Sequence, residues 1–331
     1  MTGSPPPTTA ITKGPLSPER VAQVQELAAA AARADGIAPL SEDVLLRLRH
    51  GSAPLALDLV LTDLGLAAAD RMVIGYAHLD APDDEAQGGD MSGELVVHPA
   101  HRRKGHAKAL LSALLTDAAD HGVRLWAHGD LPAAAALARS AGLTRIRALF
   151  QLRMPLADVP VGEPAFPAGV TVRTFRPGAD EDAWLTVNRR AFAHHPEQGS
   201  WTMEDLRLRE AEPWFDPEGF FLAERDGRMV GFHWTKVHQP DGDGDVPTGE
   251  VYVLGVDPGQ QGGGLGRALT LAGLAHLRGL GLADVMLYVD EDNTAAVRMY
   301  TALGFGRLST DVMYRLEAFA RKARPLSPMA D

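Results

Sequence analysis

A pattern that occurs twice, about 160 residues apart, constrains the fold of this 331-residue chain more than any other feature. Residues 98–105 (HPAHRRKG) match residues 257–264 (DPGQQGGG) at an offset of 159 positions. Farther along, residues 125–127 (LWA) match residues 287–289 (LYV) at an offset of 162, and a loop can absorb the three extra residues. A repeat of this length, in a chain longer than one typical domain, predicts two similar domains in tandem.

The second copy of the pattern has the form of a phosphate-binding turn. Residues 250–267 (EVYVLGVDPGQQGGGLGR) predict a strand, a glycine-rich turn and a helix that begins at Leu265. Such an order brings backbone N–H groups to a helix N-terminus, where they can hold phosphate. A nucleoside-triphosphate loop would need Lys and Ser or Thr where Arg267 and Ala268 stand, and a dinucleotide fingerprint would need Gly or Ala in place of Leu269. The turn instead resembles the pyrophosphate loop of the GNAT acetyltransferases, which bind acetyl-CoA, although a merely tight connection stays an alternative.

A second signature follows at the spacing that GNAT enzymes show. Residues 287–290 predict another strand, and Asn293, Tyr300 and Gly304 follow it in order. In that family the asparagine lies near the pantetheine arm and the tyrosine near the thioester sulfur. The two signatures together favour an α/β fold, a mixed sheet flanked by helices, in two tandem GNAT acyl-CoA N-acyltransferase domains.

Composition places the domain boundaries. Residues 1–16, rich in Pro, Thr and Gly, predict a disordered tail, and residues 155–168 carry four prolines and predict a linker. We therefore expect a degenerate, non-catalytic GNAT domain at 17–154, a catalytic GNAT domain at 169–318 and a C-terminal tail at 319–331. Ser17 and Pro18 predict the first helix start, and Gly36 its end.

Charge and cysteine content exclude some classes of protein. The net charge of −11 disfavours a nucleic-acid partner, because a phosphate backbone attracts basic surfaces. The absence of cysteine excludes a disulfide framework, a thiolate metal site and a cysteinyl acyl-enzyme. We expect no metal. The sequence shows neither a signal peptide nor a membrane span, so we expect a cytoplasmic protein with no membrane partner, acting as a monomer.

Further motifs narrow the resemblance. Residues 94–99 (ELVVHP), 126–129 (WAHG), 195–199 (HPEQG), 214–217 (WFDP) and 231–238 (GFHWTKVH) are similar to those of the mycothiol synthase family across nearly the whole chain beyond the tail. The resemblance implies acetyl transfer from acetyl-CoA to the cysteinyl amine of Cys-glucosaminyl-inositol, the last step in making mycothiol. Two alternatives stay open, an acetyltransferase for another small amine and a non-catalytic acyl-CoA sensor.

The resemblance also implies site residues. The acetyl-CoA positions of the second domain are Leu254, Gly255, Val256, Gln261, Gly262, Gly263, Gly264, Leu265, Gly266, Arg267, Asn293, Thr294, Ala295, Ala296, Val297 and Arg298. The corresponding positions of the first domain are Leu95, Val96, Val97, Arg102, Arg103, Lys104, Gly105, His106 and Ala107. The implied substrate-binding residues are Glu42, Glu197, Lys236, Glu250 and Tyr288. From sequence alone, Glu42 could merely cap a helix, Lys236 and Glu197 could be ordinary surface charges, and Tyr288 could belong to the core.

The implied catalytic residues are Glu250 and Tyr300. With no cysteine available, the amine attacks the thioester directly, and Glu250 would steer its proton away. An α-amino group titrates at ~7.7–8.0 and an ordinary glutamate at ~4.3, so direct transfer is uphill by ~3.5 pKa units, or about 5 kcal/mol. Tyr300 would hydrogen-bond to the departing sulfur or protonate it. In the first domain the repeat offsets put Met91, Ala138 and Leu131 where the second has Glu250, Tyr300 and Asn293, which predicts that this domain holds CoA without catalysis.

Overall fold

The computed structural model describes residues 9–50, 56–65, 71–80, 89–118, 121–159, 164–193, 198–240 and 246–317. These residues form two compact units, one comprising 9–148 and 310–317 and the other 149–309. No helix within these ranges combines the length and apolar character needed to cross a membrane.

The first unit begins with a strand where the sequence predicts a disordered tail. Its elements are β1 (Thr9–Lys13), α1 (Pro18–Asp35), α2 (Glu42–His50), β2 (Leu57–Asp63), β3 (Val73–Leu79), β4 (Met91–Val97), α3 (His106–Asp117), β5 (Val123–Ala127) and α4 (Pro132–Ala141). The residues of β1 are rich in β-branched side chains and pair antiparallel with β2. The predicted ends of α1 are confirmed, because Ser17 accepts a hydrogen bond from the Arg20 amide and Gly36 closes the helix in the left-handed region.

The second unit repeats the same plan. The remaining elements are β6 (Thr144–Pro155), β7 (Val170–Thr174), α5 (Glu181–Ala191), α6 (Met203–Glu210), β8 (Phe220–Arg225), β9 (Arg228–His238), β10 (Thr248–Val256), α7 (Leu265–Gly279), β11 (Asp284–Asp290), α8 (Thr294–Leu303) and β12 (Gly306–Leu316). Antiparallel pairing joins β7 to β10 in order, and β11 then pairs parallel with β10. The first unit has the same succession, with β1 to β4 antiparallel and β5 parallel to β4.

The strand that completes each sheet comes from the other half of the sequence. Residues 149–155 of β6 pair with β11 in the second unit, and residues 312–316 of β12 pair with β5 in the first. The compact units therefore differ from the predicted domains at 17–154 and 169–318. Within the predicted linker, Leu156 and Val159 are buried in the core of the second unit, and residues 160–163 lie outside the described ranges.

Both faces of each sheet carry a hydrophobic core. In the second unit, α7 and α8 cover one face through Leu274, Leu277 and Tyr300. The other face packs against α5 and α6 through a cluster of aromatic rings that includes Trp184, Phe232 and Trp234. Because side chains alternate along a strand, β9 and β10 send one set of residues to each layer.

Candidate active site

The glycine-rich turn of the second unit forms an open cradle of backbone amides. Gly262 and Gly264 have φ angles of 85° and 82°, in the left-handed region that glycine adopts at least cost. A Cβ atom added to Gly262, Gly263 or Gly264 would meet no heavy atom within 4 Å. Helix α7 begins directly afterwards, at Leu265, so its first N–H groups face this space. The cradle fits an anionic group such as a pyrophosphate.

Two side chains brace the cradle from the sheet side. Asp257 accepts a hydrogen bond from the Gly259 amide at 2.9 Å and forms an ion pair with Arg190 at 3.1 Å. Gln261 donates from Nε2 to the Val256 carbonyl at 3.1 Å. The side chain of Gln261 therefore holds the turn together, and its backbone is the part presented at the predicted cofactor position.

The turn of the first unit has the same backbone conformation. His98 and Asp257 have φ, ψ angles of −52°, 131° and −50°, 130°. Arg102 and Gln261 have angles of −71°, 165° and −72°, 162°. Arg103 occupies the position of Gly262 with a φ of 63°, which costs a non-glycine residue ~1–2 kcal/mol. The two turns that match in sequence thus also match in backbone conformation. In the first unit this conformation strains the backbone at Arg103.

The side chain of Arg102 makes hydrogen bonds within the protein. Its Nε donates to the Val97 carbonyl at 3.1 Å, the bond that Gln261 makes in the second unit. Its two terminal nitrogens each lie 2.7 Å from a carboxylate oxygen of Asp35, at the end of α1. The hydrogen bonds to Asp35 raise the pKa of Arg102. The remaining predicted CoA positions of this unit, 95–97 and 103–107, lie on the last residues of β4, the turn and the start of α3.

A gap opens beside β10 next to the cradle. Strand β9 pairs with β10 as far as Val256, but within the described residues β11 pairs with it only at 249–251. Tyr252 is a β-bulge residue between these two regions. The predicted cofactor positions Leu254, Gly255 and Val256 lie along this gap, where backbone N–H groups could polarise a carbonyl oxygen.

The structure brings Glu250 and Lys236 together on one face of the sheet. They are direct cross-strand partners, and both are buried. The Lys236 ammonium lies 4.4 Å from the centre of the Trp214 ring and 5.1 Å from that of Tyr252, in cation–π geometry. Lys236 is therefore not an ordinary surface charge.

His238, which the sequence argument did not assign, completes this group. Its Nε2 atom lies 2.7 Å from Oε2 of Glu250. It follows Lys236 by two positions, so strand alternation puts both side chains on one face. The sequence contained that spacing, but the contact depends on strand register, which the sequence did not supply.

Tyr288 and Tyr300 have different environments. The side chain of Tyr288 is 43% exposed and its hydroxyl accepts a hydrogen bond from Gln151 at 3.1 Å, so Tyr288 is not a core residue. Tyr300 is buried on α8 and packs edge-on against Phe305, in the cluster on the α7 face. Burial raises the pKa of Tyr300. Its packing partners thus lie on the opposite face from Glu250.

The remaining predicted positions lie at the starts of α8 and α2 or outside the described residues. Asn293 accepts a hydrogen bond from the Ala296 amide at 3.2 Å and caps α8, and positions 294–298 form the first turns of that helix. Glu42 begins α2 in the first unit, where an acidic side chain favours the helix dipole. Glu197 lies outside the described residues. The substrate roles of Glu42 and Glu197 stay predictions.

Strand register corrects one of the predicted equivalences. Glu250 is paired with Met286 on β11, and the matching pair in the first unit is Ser92 with Arg124. Ser92, rather than Met91, is therefore the counterpart of Glu250, because the extra residue Tyr252 shifts the alignment by one.

The first unit also holds buried charges that sequence reasoning missed. His128 Nδ1 lies 3.0 Å from Asp311, and Nε2 lies 3.6 Å from Glu94, whose other oxygen accepts the Ser41 amide at 2.7 Å. Burial alone would lower the pKa of His128, but the hydrogen bond to Asp311 and the nearby Glu94 carboxylate outweigh it and raise the pKa to about 10. Neither described unit contains a group of three or more side chains suited to hold a metal ion.

Comparison with known proteins agrees with this geometry. The model of the Acetyltransferase (GNAT) family matches residues 49–143 and 184–305, one match in each unit. The GCN5-related N-acetyltransferase from Sphaerobacter thermophilus superposes with a TM-score of 0.68 at 24% identity, covering 93% of this chain and 96% of that one. A tandem GNAT protein from the clavulanic acid biosynthesis pathway gives 0.68 at 23% identity, covering 93% and 99%. At these identities the likeness establishes the fold, that of a tandem GNAT protein.

Closer relatives define the group within that class. The mycothiol acetyltransferase of Thermomonospora curvata is 58% identical over 301 residues, covering 91% of this chain and 95% of the relative. That of Thermobispora bispora is 59% identical over 292 residues, covering 88% and 94%. The chain belongs to the mycothiol acetyltransferase branch of the GNAT acetyltransferase family.

Proposed function

We propose that this protein transfers the acetyl group of acetyl-CoA to the cysteinyl amine of Cys-glucosaminyl-inositol, which yields mycothiol. The observation that carries the proposal is identity above 50% to mycothiol acetyltransferases over about nine-tenths of the chain. In this proposal the second unit is the catalytic one.

The cradle at 262–264 would hold the pyrophosphate of acetyl-CoA. Its support is the open space above three consecutive glycines at the N-terminus of α7. The pantetheine arm would follow the gap between β10 and β11, which brings the thioester past residues 254–256. Backbone N–H groups there would stabilise the charge that develops on the carbonyl oxygen.

Glu250 would receive the proton of the attacking amine. Its support is a buried carboxylate at the strand position where the gap begins. Lys236 has only donors to offer, so it suits the sugar and inositol oxygens of the substrate. The ring of Tyr288, exposed on the neighbouring strand, would line the same face.

Tyr300 would hydrogen-bond to the sulfur as the carbon–sulfur bond breaks. Because burial raises its pKa, the hydroxyl stays protonated at neutral pH. A thiol titrates at ~8.5, so transfer of the tyrosine proton to the thiolate is unfavourable. A hydrogen bond to the thiolate is the role that these values support.

The first unit would hold CoA without catalysis. The conserved backbone shape of its turn supports the binding role, and Ser92, Ala138 and Leu131 at the positions of Glu250, Tyr300 and Asn293 support the absence of chemistry. None of these three residues can accept the amine proton at neutral pH or hydrogen-bond as a phenol does.

The test is turnover with a defined set of amines. Purified protein and acetyl-CoA are incubated with Cys-glucosaminyl-inositol, glucosaminyl-inositol, cysteine and glucosamine, and acetylated products are measured by mass spectrometry. We expect Cys-glucosaminyl-inositol to be turned over with a kcat/KM far above the others. Efficient acetylation of another amine in its place would overturn the substrate assignment, and binding of acetyl-CoA without any turnover would overturn the enzymatic one.

A further inference from the structure

The pair formed by His238 and Glu250 carries an inference about how the proton leaves the site. The two side chains share a sheet face, with His238 on the last residue of β9 and Glu250 near the start of β10. Nε2 of His238 lies 2.7 Å from Oε2 of Glu250. The other oxygen, Oε1, accepts no hydrogen bond from the part of the chain that the structure describes. Among the described residues, Oε2 is therefore paired with His238 and Oε1 has no hydrogen-bond donor.

The two members of the pair differ in their access to water. The side chain of Glu250 is 7% exposed, whereas that of His238 is 36% exposed. A buried base that takes a proton in each turnover must lose that proton before the next one. The more exposed member, His238, is in direct contact with the buried carboxylate.

The chemistry of the two groups suits them to a relay. A protonated α-amine titrates at ~7.7–8.0, an imidazolium at ~6.5 and a carboxylic acid at ~4.3 in water. Transfer of a proton from an amine to an imidazole is therefore less unfavourable than transfer to a carboxylate. An imidazole behind the carboxylate thus lowers the free energy of the state in which the proton has left the amine.

We propose that His238 is a positioning and proton-relay residue that acts through Glu250, and this rests on the proposed function. The ammonium of the substrate gives one proton to Glu250, and its nitrogen then attacks the thioester carbon as the carbon–sulfur bond breaks. The second proton that this nitrogen loses goes to the departing thiolate, which leaves as the thiol of CoA. The carboxylic acid of Glu250 passes the first proton to Nε2 of neutral His238. Nδ1–H then releases a proton to water, and the ring returns to its starting state after tautomer exchange.

Other ionisable side chains lie near the pair, and among the described residues Arg209 of α6 donates from Nε to the Tyr252 hydroxyl at 2.8 Å. On the same face of the described strands the ionisable side chains are Lys236 on β9, Tyr252 on β10, Asp284 and Tyr288 on β11 and Arg153 on β6. Lys236 has its ammonium against Trp214 and Tyr252, and Asp284 pairs with Arg153 at 2.8 Å. Among the described residues neither arrangement places a proton acceptor against Glu250, whereas the imidazole of His238 lies within hydrogen-bond distance of it.

The experiment replaces the imidazole with a group that can donate a hydrogen bond but cannot carry a proton. In His238→Gln the amide can still hold the Glu250 carboxylate, so a merely structural role predicts near-normal kcat. A relay predicts that kcat falls by about 10- to 100-fold, within the range of general acid–base contributions, while KM for both substrates changes by less than about threefold. Added imidazole buffer should restore the rate in proportion to its concentration.

The matched control is His276→Gln. His276 is also a partly buried histidine of the second unit with a carboxylate partner, Asp216 at 3.5 Å, but it lies on α7 outside the site. We expect its kcat to stay within about twofold of the wild type, with no response to imidazole. His238→Asn, measured in parallel, provides the same readout should the glutamine variant not fold.

The outcomes separate the relay from the proposed function. Wild-type protein that does not acetylate Cys-glucosaminyl-inositol refutes the function. Wild-type turnover together with normal kcat in His238→Gln, or a reduced kcat that imidazole does not restore, refutes the relay alone. A loss confined to KM would also refute it, since that result would make His238 a substrate contact.

Discussion

The second unit should lose stability in acid because of one buried histidine on the opposite face from the site. His233 of β9 is fully buried, and its Nδ1 lies 2.7 Å from the Leu269 carbonyl of α7, so Nδ1 carries the hydrogen. Nε2 is buried with no hydrogen-bond partner among the described residues. A Cβ atom on Gly273 would come within 2.1 Å of the ring, so the helix packs closely against it. Burial lowers the pKa of His233 to about 4, although the bond to Leu269 opposes the shift.

The size and sign of the effect follow from proton linkage. In the unfolded chain a histidine titrates at ~6.5, so below that pH the unfolded state binds a proton that folded His233 does not. The contribution of His233 to stability is therefore fully present above pH ~6.5 and is lost as pH falls toward 4. With these two pKa values the loss is about 2 kcal/mol at pH 5 and about 3 kcal/mol at pH 4.

Urea unfolding at several pH values measures this loss. Four of the five tryptophans (184, 201, 214 and 234) lie in the second unit, so their fluorescence reports mainly on that unit. His233→Leu removes the titrating group. The unfolding free energy of the wild type minus that of the variant should therefore fall by about 2 kcal/mol from pH 7.5 to pH 5. A wild-type-to-variant difference that stays constant across this range would refute the reasoning.

Three further predictions concern the turns, the tyrosine and the first unit. Tyr300→Phe should lower kcat at least about tenfold with unchanged acetyl-CoA affinity by calorimetry, because the hydroxyl acts only as sulfur takes on charge; equal loss of binding would contradict this. Gly264→Glu should abolish acetyl transfer, whereas Gly105→Glu should leave acetyl transfer intact. Each variant should bind one equivalent of CoA less than the wild type. Acetyl transfer that survives Gly264→Glu but is lost in Gly105→Glu would show that the roles assigned to the units are wrong. The raised pKa of His128 stabilises the first unit below pH ~6.5, and this contribution should be lost as pH rises toward 10. Calorimetric unfolding should therefore show that stability falls less between pH 7 and pH 9.5 in His128→Gln than in the wild type.

Much of the fold was predictable because local signals agreed with it. The Ser17 cap and the terminal Gly36 set the ends of α1, and the glycines before Leu265 set the start of α7. The sequence did not predict the strand β1, because the surrounding proline-rich composition favours disorder more strongly than the β-branched residues favour a strand. Its stability comes from pairing with β2, some 50 residues away, and no local pattern contains that information.

The sequence named candidate residues for the site but could not predict their contacts. The glycines and Glu250 were found from spacing and resemblance, whereas the bulge at Tyr252 could not be, since a bulge exists only relative to a partner strand. That bulge moves the counterpart of Glu250 from Met91 to Ser92. The contact of His238 with Glu250 depends on the same register, and so it became visible only once the strands were paired.

The pairing of β6 and β12 shows why the boundaries of a sequence repeat need not coincide with the boundaries of a compact unit. All seven residues of β11, including Tyr288, pair with residues 149–155 of β6, which precede the proline-rich segment. A fragment that begins at residue 169 would leave β11 with an unpaired edge on the side away from β10. In the first unit, loss of residues 310–317 would remove the partner of β5 and the Asp311 carboxylate that holds His128. Each unit is therefore complete only with a strand encoded in the other half of the sequence, and a stable second unit requires the chain from Leu149 onward.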